Sequence, residues 1–156
     1  MITIATKQDG QSIQSITVHT SVFSADEVVC VKELWDEYQQ QGALISGYYF
    51  VVEREAEYVR GYACYGPRSL TDGTYDLYWI AVDPECQRAG VGRLLLDWVE
   101  ENIRQMGGRL IVVETSGLEK YNPTRRFYLA TGYTLEATLK DFYKDGDDLV
   151  IFTKHL

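Results

Sequence analysis

The stretch that decides the fold runs from Val82 to Leu96 and reads VDPECQRAGVGRLLL. A strand-like apolar run that begins at Tyr75 precedes it, and an apolar run with helical spacing continues from it to Met106. Between the two runs lies a turn that contains Gly90 and Gly92. A glycine turn at the start of a helix leaves backbone N–H groups without acceptors and adds the positive end of the helix dipole. The stretch therefore predicts an anion site suited to a phosphate or pyrophosphate.

The composition is that of an ordinary globular domain. Of the 156 residues, 46% are hydrophobic and 24% are charged, and we expect a single domain over residues 1–156 with one substantial core. The formal net charge of −8 argues against nonspecific binding to nucleic acid, which needs a basic surface. An acidic surface favours a cationic substrate, although many cytosolic proteins are simply acidic.

The cysteines and the apolar runs bear on the compartment. Cys30, Cys64 and Cys86 are odd in number and lack metal-ligand spacing, so the sequence predicts neither a disulfide framework nor a metal site. No apolar run approaches the roughly 18 residues of a membrane span. The first residues also lack the basic-then-apolar pattern of a signal peptide. We therefore expect a cytoplasmic protein that does not enter the membrane.

The spacing of apolar residues predicts seven strands and three helices. The strands are expected at residues 13–18, 47–53, 58–65, 75–82, 109–115, 133–140 and 149–154, and the helices between Ser24 and Gly42, between Val91 and Met106, and between Asn122 and Gly132. Residues 1–12 are expected to be a frayed or edge segment. The strand, helix and strand between residues 75 and 115 predict a right-handed βαβ unit with parallel strands. This order predicts a mixed sheet with helices on its faces.

Two familiar phosphate-binding turns do not fit the glycine turn. The dinucleotide-binding fingerprint needs a third glycine three residues after the second, and Leu95 stands there. The Walker loop needs a lysine and a serine or threonine after its last glycine, whereas Arg93 and Leu94 follow Gly92. The alternative without any ligand is a plain strand-to-helix turn whose glycines only satisfy the backbone geometry.

Two motifs carry a resemblance to a known family. Gln87, Gly90 and Gly92, in the spacing Gln-x-x-Gly-x-Gly after a strand, resemble motif A of the GNAT superfamily of acyl-CoA-dependent N-acetyltransferases. The run from Phe127 to Tyr133, which reads FYLATGY, resembles motif B of that family, Phe-Tyr-x-x-x-Gly-Phe/Tyr. A strand that ends in Glu114 lies between the two motifs, as the family's element order requires.

The resemblance covers residues 28–156 by element order and is sharpest from 75 to 133. It implies the GNAT fold, a mixed α/β architecture. The central sheet is mixed and mostly antiparallel, with about six to seven strands and a parallel pair at its centre, and about three to four helices flank it. One departure lies seven residues before the motif-B tyrosine, where family members often carry asparagine. This chain has Tyr121 there, and Asn122 follows.

The resemblance implies transfer of an acetyl group from acetyl-CoA, the coenzyme A thioester, to a primary amine of a small molecule, an amino acid or a peptide. It places the backbone of Ile80 and Val82 on the pantetheine arm of the cofactor. Asn122 is a further candidate for a cofactor contact. The residues implied around the pyrophosphate are Gln87, Arg88, Ala89, Gly90, Val91, Gly92 and Arg93.

The resemblance implies that Tyr128, the tyrosine of motif B, is the catalytic acid that protonates the departing CoA thiolate. A phenol with an ordinary pKa of about 10 stays protonated at neutral pH and can donate its proton. The alternative is an aromatic side chain that only packs in the core, since the chain holds twelve tyrosines.

Asp76 is the first candidate for the base that deprotonates the amine. It stands six residues before the end of its strand, at the position where histone-acetylating members of the family carry a glutamate. By strand parity it shares a face with Tyr78 and Ile80 and so faces the substrate cleft. A structural hydrogen bond is the alternative for Asp76. Glu114 is the rival base, acting through a water, and a structural ion pair is its alternative.

Other functions stay open from sequence alone. A non-catalytic acyl-CoA-binding module that senses the cofactor or docks a partner also fits motif A. Transfer of a longer acyl group, or transfer to a hydroxyl, is a third alternative. The run from Asp141 to Tyr143 is expected at the rim of the acceptor site. A homodimer is expected by analogy with the family.

Overall fold

The computed structural model describes the whole chain from Met1 to Leu156. The helices are α1 (Gly10–His19), α2 (Ala25–Gln41), α3 (Ala43–Ser46), α4 (Val91–Gln105) and α5 (Asn122–Ala130). The strands are β1 (Ile2–Ile4), β2 (Tyr49–Glu55), β3 (Tyr58–Pro67), β4 (Thr74–Val82), β5 (Leu110–Ser116), β6 (Thr134–Lys144) and β7 (Asp147–His155). All seven strands form one sheet in the order β1-β2-β3-β4-β5-β7-β6. No helix has both the length and the apolar composition needed to cross a membrane.

The sheet is mixed and mostly antiparallel, as predicted. Only the central pair, β4 and β5, runs parallel, and α4 is the crossover between them. Every other neighbouring pair in the sheet is antiparallel. The predicted βαβ unit is therefore confirmed. Five helices flank the sheet instead of three or four, and one of them, α3, is a single turn.

The predicted first strand, Ile13–Val18, is wrong, because these residues lie in α1. The side chains buried there are Ile13, Ile16 and Thr17, whose spacing of three and four residues is that of one helix face. Val18, counted as the third apolar member of a strand, is 56% exposed. The seventh strand is instead β1, an edge strand that pairs only with β2, within the segment predicted to be frayed or at an edge.

The last hairpin is longer than predicted. Strand β6 continues to Lys144 and β7 begins at Asp147, so the turn is shorter than the predicted 144–148 loop. Asp141 adopts a left-handed backbone conformation, with φ of +52°. Its N–H donates to Oδ1 of Asp148 at 2.9 Å, and its own Oδ1 accepts from the N–H of Gly146 at 2.7 Å. These two bonds let the hairpin continue past the irregularity at Asp141.

The sheet separates two hydrophobic cores. We call the first the α4 core; its central side chains are Leu77, Val91, Leu95, Val99, Ile111, Tyr128 and Phe152. We call the second the α2 core; its central side chains are Ile13, Val31, Trp35, Phe50, Tyr62 and Ala81. Because each core covers one face of the same strands, a residue's position along β4 determines which core it joins. This three-layer arrangement fixes both walls of the site described below.

The α4 core predicts a large difference between two adjacent leucines. Leu95 is fully buried, whereas Leu94 is 49% exposed. Leu95→Ala is expected to lower the free energy of unfolding by about 2–5 kcal/mol because it leaves a cavity in the core. Leu94→Ala, the matched control, should change the free energy of unfolding by about 0.5 kcal/mol or less. Denaturant unfolding measures both values, and similar losses for the two variants would contradict this packing.

Candidate active site

A cleft opens where β4 and β5 separate. The two strands pair at only three positions, Thr74 with Leu110, Tyr75 with Ile111 and Asp76 with Val112, although both continue for several residues. Beyond this point each strand keeps its outer antiparallel partner and has an unpaired inner edge. The cleft between them has a volume of about 690 Å³. Because backbone polar groups need partners, the unpaired edges suit an extended ligand that lies along them.

A β-bulge at Tyr78 alters the side-chain order in the cleft wall. Opposite Cys64 and Tyr65 on β3 stand Trp79 and Leu77, so Tyr78 is an extra residue on β4. Such an extra residue reverses the faces of the residues that follow it.

The bulge corrects one prediction about strand parity. Asp76 was expected to share a face with both Tyr78 and Ile80. Tyr78 packs against the α2 core, but Ile80 packs against the α4 core, on the same side as Leu77. Asp76, Tyr78 and Ile80 nevertheless all line the cleft.

Asp76 and Glu114, the two candidate bases, are joined by one arginine. Nε of Arg68 lies 2.9 Å from Oδ2 of Asp76, and its Nη2 lies 3.0 Å from Oε1 of Glu114. Asp76 is buried, whereas Arg68 and Glu114 are partly open to solvent. The structure therefore brings together both predicted carboxylates and shows that each makes an ion pair.

Burial raises the pKa of Asp76 above its ordinary value. The Arg68 guanidinium acts in the opposite direction and the Glu114 carboxylate adds a smaller increase. A carboxylate with a raised pKa is a stronger base than an exposed one, and its guanidinium partner keeps it ionised. Such a carboxylate is suited to accept a proton.

The sequence pattern does not single out Arg68, which lies in a polar loop between two predicted strands. Gly66 pairs with Asp76 and Pro67 with Tyr75 across the β3–β4 hairpin, so Arg68, directly after β3, lies two positions along from the partner of Asp76 and its side chain reaches back to that carboxylate. That hairpin register is the signal that would have found it, since Gly66 and Pro67 mark the end of β3 in the sequence.

Tyr128 presents its hydroxyl to the same cleft. It lies on α5, its side chain is only 3% exposed, and its ring packs among Phe127, Tyr133 and Phe152. The hydroxyl makes no hydrogen bond within the chain, and the residue lines the cleft. Burial raises the pKa of Tyr128 well above its ordinary value, so the phenol keeps its proton.

The glycine turn offers free backbone donors at the start of α4. Arg88 and Gly90 adopt left-handed conformations, with φ of +66° and +78°. The first N–H of this end to bond within the helix is that of Leu94, which donates to the oxygen of Gly90 at 3.0 Å. The N–H groups of residues 91–93 therefore have no acceptor within the chain. This arrangement suits an anion, as predicted from the sequence.

The predicted cofactor side chains differ in how available they are. Gln87, Ile80 and Val82 line the cleft, and the exposed Arg88 makes no ion pair. Arg93 forms an ion pair with Asp97 one turn later, with Nε 2.9 Å from Oδ1. The remaining turn residues, Ala89, Val91 and Gly92, contribute backbone groups rather than polar side chains.

Asn122 lies outside the cleft. It borders a separate groove of about 360 Å³ between α5 and the β6–β7 hairpin. Its Oδ1 accepts a hydrogen bond from Nη2 of Arg125, whose Nη1 donates to the carbonyl oxygen of Leu118 at 3.0 Å. These bonds brace the loop before α5.

Tyr121 stands where family members often carry asparagine, and it lines one end of the cleft. Its hydroxyl lies 3.0 Å and 2.9 Å from the two carboxylate oxygens of Glu27 on α2, and 3.3 Å from the carbonyl oxygen of Val22. The cleft is also lined by Tyr143, in the segment predicted at the rim, and by Asp147. The contact between Tyr121 and Glu27 spans 94 residues of sequence and could not be found from local spacing.

Comparisons with known proteins agree on one family. Residues 46–135 match the family profile described as the acetyltransferase (GNAT) domain. A crystal structure of a GNAT-family protein from Desulfovibrio desulfuricans is 45% identical, covers 99% of this chain and 98% of its own, and superposes with a TM-score of 0.95.

Two other matches are more distant. A Salmonella typhimurium structure, solved with its cofactor acetyl-CoA, is 24% identical over 100% of this chain and 93% of its own, with a TM-score of 0.79, and so supports the fold alone. An uncharacterized N-acetyltransferase of Methanocaldococcus jannaschii is 30% identical over 89 residues, which are 55% of this chain. The match spans about half of that relative, 54% of its length.

Replacing Arg68 with methionine is expected to raise the pKa of Asp76 further, because a nearby positive charge is lost. Carboxyl titration by NMR measures this pKa. A folded-state pKa above the unfolded value of about 3.9 makes a carboxylate destabilising as the pH rises. The variant should therefore lose stability relative to wild type between about pH 4 and 7.

Arg104→Met is the matched control, because Arg104 forms an exposed ion pair with Glu101 on α4 and does not line the cleft. It should leave the pKa of Asp76 unchanged. An unchanged or lower Asp76 pKa in the Arg68 variant would show that the guanidinium does not control this carboxylate.

Proposed function

The chain belongs to the GNAT family of acetyltransferases, and on that premise we propose that it transfers an acetyl group from acetyl-CoA to a primary amine of a small molecule, an amino acid or a peptide. The observation that carries this proposal is Tyr128: its ring is buried, its hydroxyl has no hydrogen-bond partner within the chain, and it lines the cleft. A phenol that has no partner in the chain and lines a cleft is placed to donate its proton to a ligand there.

The residues present fit acetyl-CoA. The unpaired N–H groups at the start of α4 suit its pyrophosphate, with Arg88 supplying charge. The unpaired inner edge of β4, including Ile80 and Val82, suits the amide groups of its pantetheine arm. The cleft volume lies within the range of about 300–1,000 Å³ usual for ligand sites. When bound, acetyl-CoA supplies the acetyl group in activated thioester form.

The chain's own residues supply the proton transfers. An alkyl ammonium has an ordinary pKa of about 10.4 and must lose a proton before its nitrogen can attack. Asp76 accepts that proton directly, or Glu114 accepts it through a water. As the thioester carbon–sulfur bond breaks and the amide bond forms, the Tyr128 hydroxyl donates its proton to the departing sulfur. Bulk solvent then returns a proton to Tyr128 and receives one from the carboxylate.

The cytoplasmic setting is part of the same proposal. Cys30, Cys64 and Cys86 are all free, which fits a reducing compartment. The homodimer stays a prediction from the family.

The acid assignment is tested by Tyr128→Phe. Loss of a general acid is expected to lower kcat by about 10²–10⁴-fold, while the CoA dissociation constant stays nearly unchanged. Thiol release with a panel of amines measures turnover, and calorimetry measures CoA binding. The control is Tyr133→Phe, since the Tyr133 ring packs 5.4 Å from that of Tyr128 but does not line the cleft.

Unaltered turnover in the Tyr128 variant would remove this residue from the chemistry. If wild-type protein binds CoA but releases no thiol with any amine, the non-catalytic acyl-CoA-binding module becomes the better account.

The phosphate turn is tested by Gly90→Val. A valine at φ of +78° costs of order 1–3 kcal/mol of strain and displaces the free N–H groups, so measurable CoA binding should be lost. Gly107→Val is the control, because Gly107 has φ of +83° and an equally open environment at the other end of α4. Both variants carry the same backbone strain, so only a loss confined to Gly90 supports the proposal. Intact binding in the Gly90 variant would overturn it.

A further inference from the structure

One wall of the cleft, beyond Glu114, is acidic and aromatic. Glu27 on α2, Tyr121 before α5, Tyr143 on β6 and Asp147 on β7 all line it. Partial burial raises the pKa of the Tyr143 hydroxyl, and the carboxylates of Glu114, Asp147 and Glu27 raise it further, in that order. Three separate elements therefore direct negative charge toward one phenol.

Asp147 is a buried carboxylate without a cationic partner. It is 7% exposed, and its Oδ1 accepts a hydrogen bond from Oγ of Ser116 at 2.5 Å. No ion pair involves Asp147, and its other carboxylate oxygen has no hydrogen-bond partner in the chain. Buried charges in proteins are normally paired, so this carboxylate lacks a counter-charge that a ligand can supply.

The cations that line the cleft do not supply that counter-charge. The cleft is lined by five carboxylates and three cationic side chains. Arg68 is already shared between Asp76 and Glu114. Lys120 and Lys144 are exposed and form no ion pair; Nζ of Lys120 lies 5.1 Å from the centre of the Tyr121 ring. The reacting amine cannot serve either, because it must be neutral when it attacks.

We propose that the acceptor is a dication, in which an ammonium or guanidinium group besides the reacting amine lies against Asp147 and Glu27 beside the ring of Tyr143. This inference rests on the proposed acetyltransferase function and specifies its substrate class. The carboxylates supply charge-assisted hydrogen bonds, and the aromatic rings attract a cation through their faces. Because Arg68 is shared between two carboxylates, it is not free to bind an acceptor carboxylate.

Matched acceptors test this inference with the full chain and saturating acetyl-CoA. Putrescine and cadaverine carry a second ammonium, whereas aminobutanol and aminopentanol carry a hydroxyl at the same distance from the reacting amine. The diamines are expected to have kcat/KM values about tenfold or more above their amino-alcohol partners, the effect of one hydrogen bond to a charged group. Thiol release measures both, and agmatine extends the test to a guanidinium.

Two variants test whether the acidic wall causes the preference for diamines over amino alcohols. Asp147→Asn keeps the hydrogen bond to Ser116 but removes the charge, and should bring the diamine-to-alcohol ratio close to one. Asp145→Asn is the control, because Asp145 is an exposed residue of the same hairpin turn that does not line the cleft. Should Asp147→Asn fail to fold in a thermal melt, Glu27→Gln replaces it, with the same expected direction.

The outcomes separate this inference from the function on which it rests. Equal kcat/KM values for diamines and amino alcohols would overturn the dication while leaving the acetyltransferase proposal intact. A preference that survives both Asp147→Asn and Glu27→Gln would also overturn it. Absence of thiol release with every amine would overturn both proposals together.

Discussion

The separation of β4 from β5 after Asp76 is the constraint on which the rest of the structure depends. Up to that residue the two parallel strands pair with each other, and beyond it each is held only by its outer antiparallel neighbour. Those neighbours, β3 and β7, pair along nearly the whole of the two strands and keep them in place. Because unpaired backbone is unfavourable in a closed core, the topology itself requires an open channel between the strands. The α4 turn and Tyr128 then lie at the sides of that channel.

Burial prepares the two proposed proton-transfer groups in complementary ways. Desolvation disfavours the charged form of each, so it makes the Asp76 carboxylate more basic and keeps the Tyr128 phenol protonated. The same physical effect therefore suits one group to take a proton and the other to hold one. Arg68 limits this effect, because its positive charge favours the ionised form of Asp76 and lowers its pKa.

How much could be predicted from the sequence depends on the length of chain that each feature spans. The cofactor half was accessible because the Gln87–Gly92 turn and the helix that carries Tyr128 are encoded in short contiguous motifs. The residues proposed to surround the acceptor could not be predicted in this way, since the contact between Arg68 and Glu114 joins residues 46 positions apart. The bulge at Tyr78 was also hidden, because β4 is apolar on both of its faces and an added residue leaves no gap in the pattern. In α1, the two-residue spacing of Ile16 and Val18 favoured a strand, although the three-residue spacing of Ile13 and Ile16 is that of a helix.

The two cores on opposite faces of one sheet have a consequence for how such a protein diversifies. The phosphate turn and Tyr128 are anchored in the α4 core, whereas Glu27 and the loop before α2 are anchored in the α2 core. Substitutions in the part of the acceptor wall near Glu27 therefore act on a different packing unit from those around the phosphate turn. Changes in α1, α2 and their loop can therefore alter the acceptor side of the cleft without repacking the side chains that hold the phosphate turn and Tyr128.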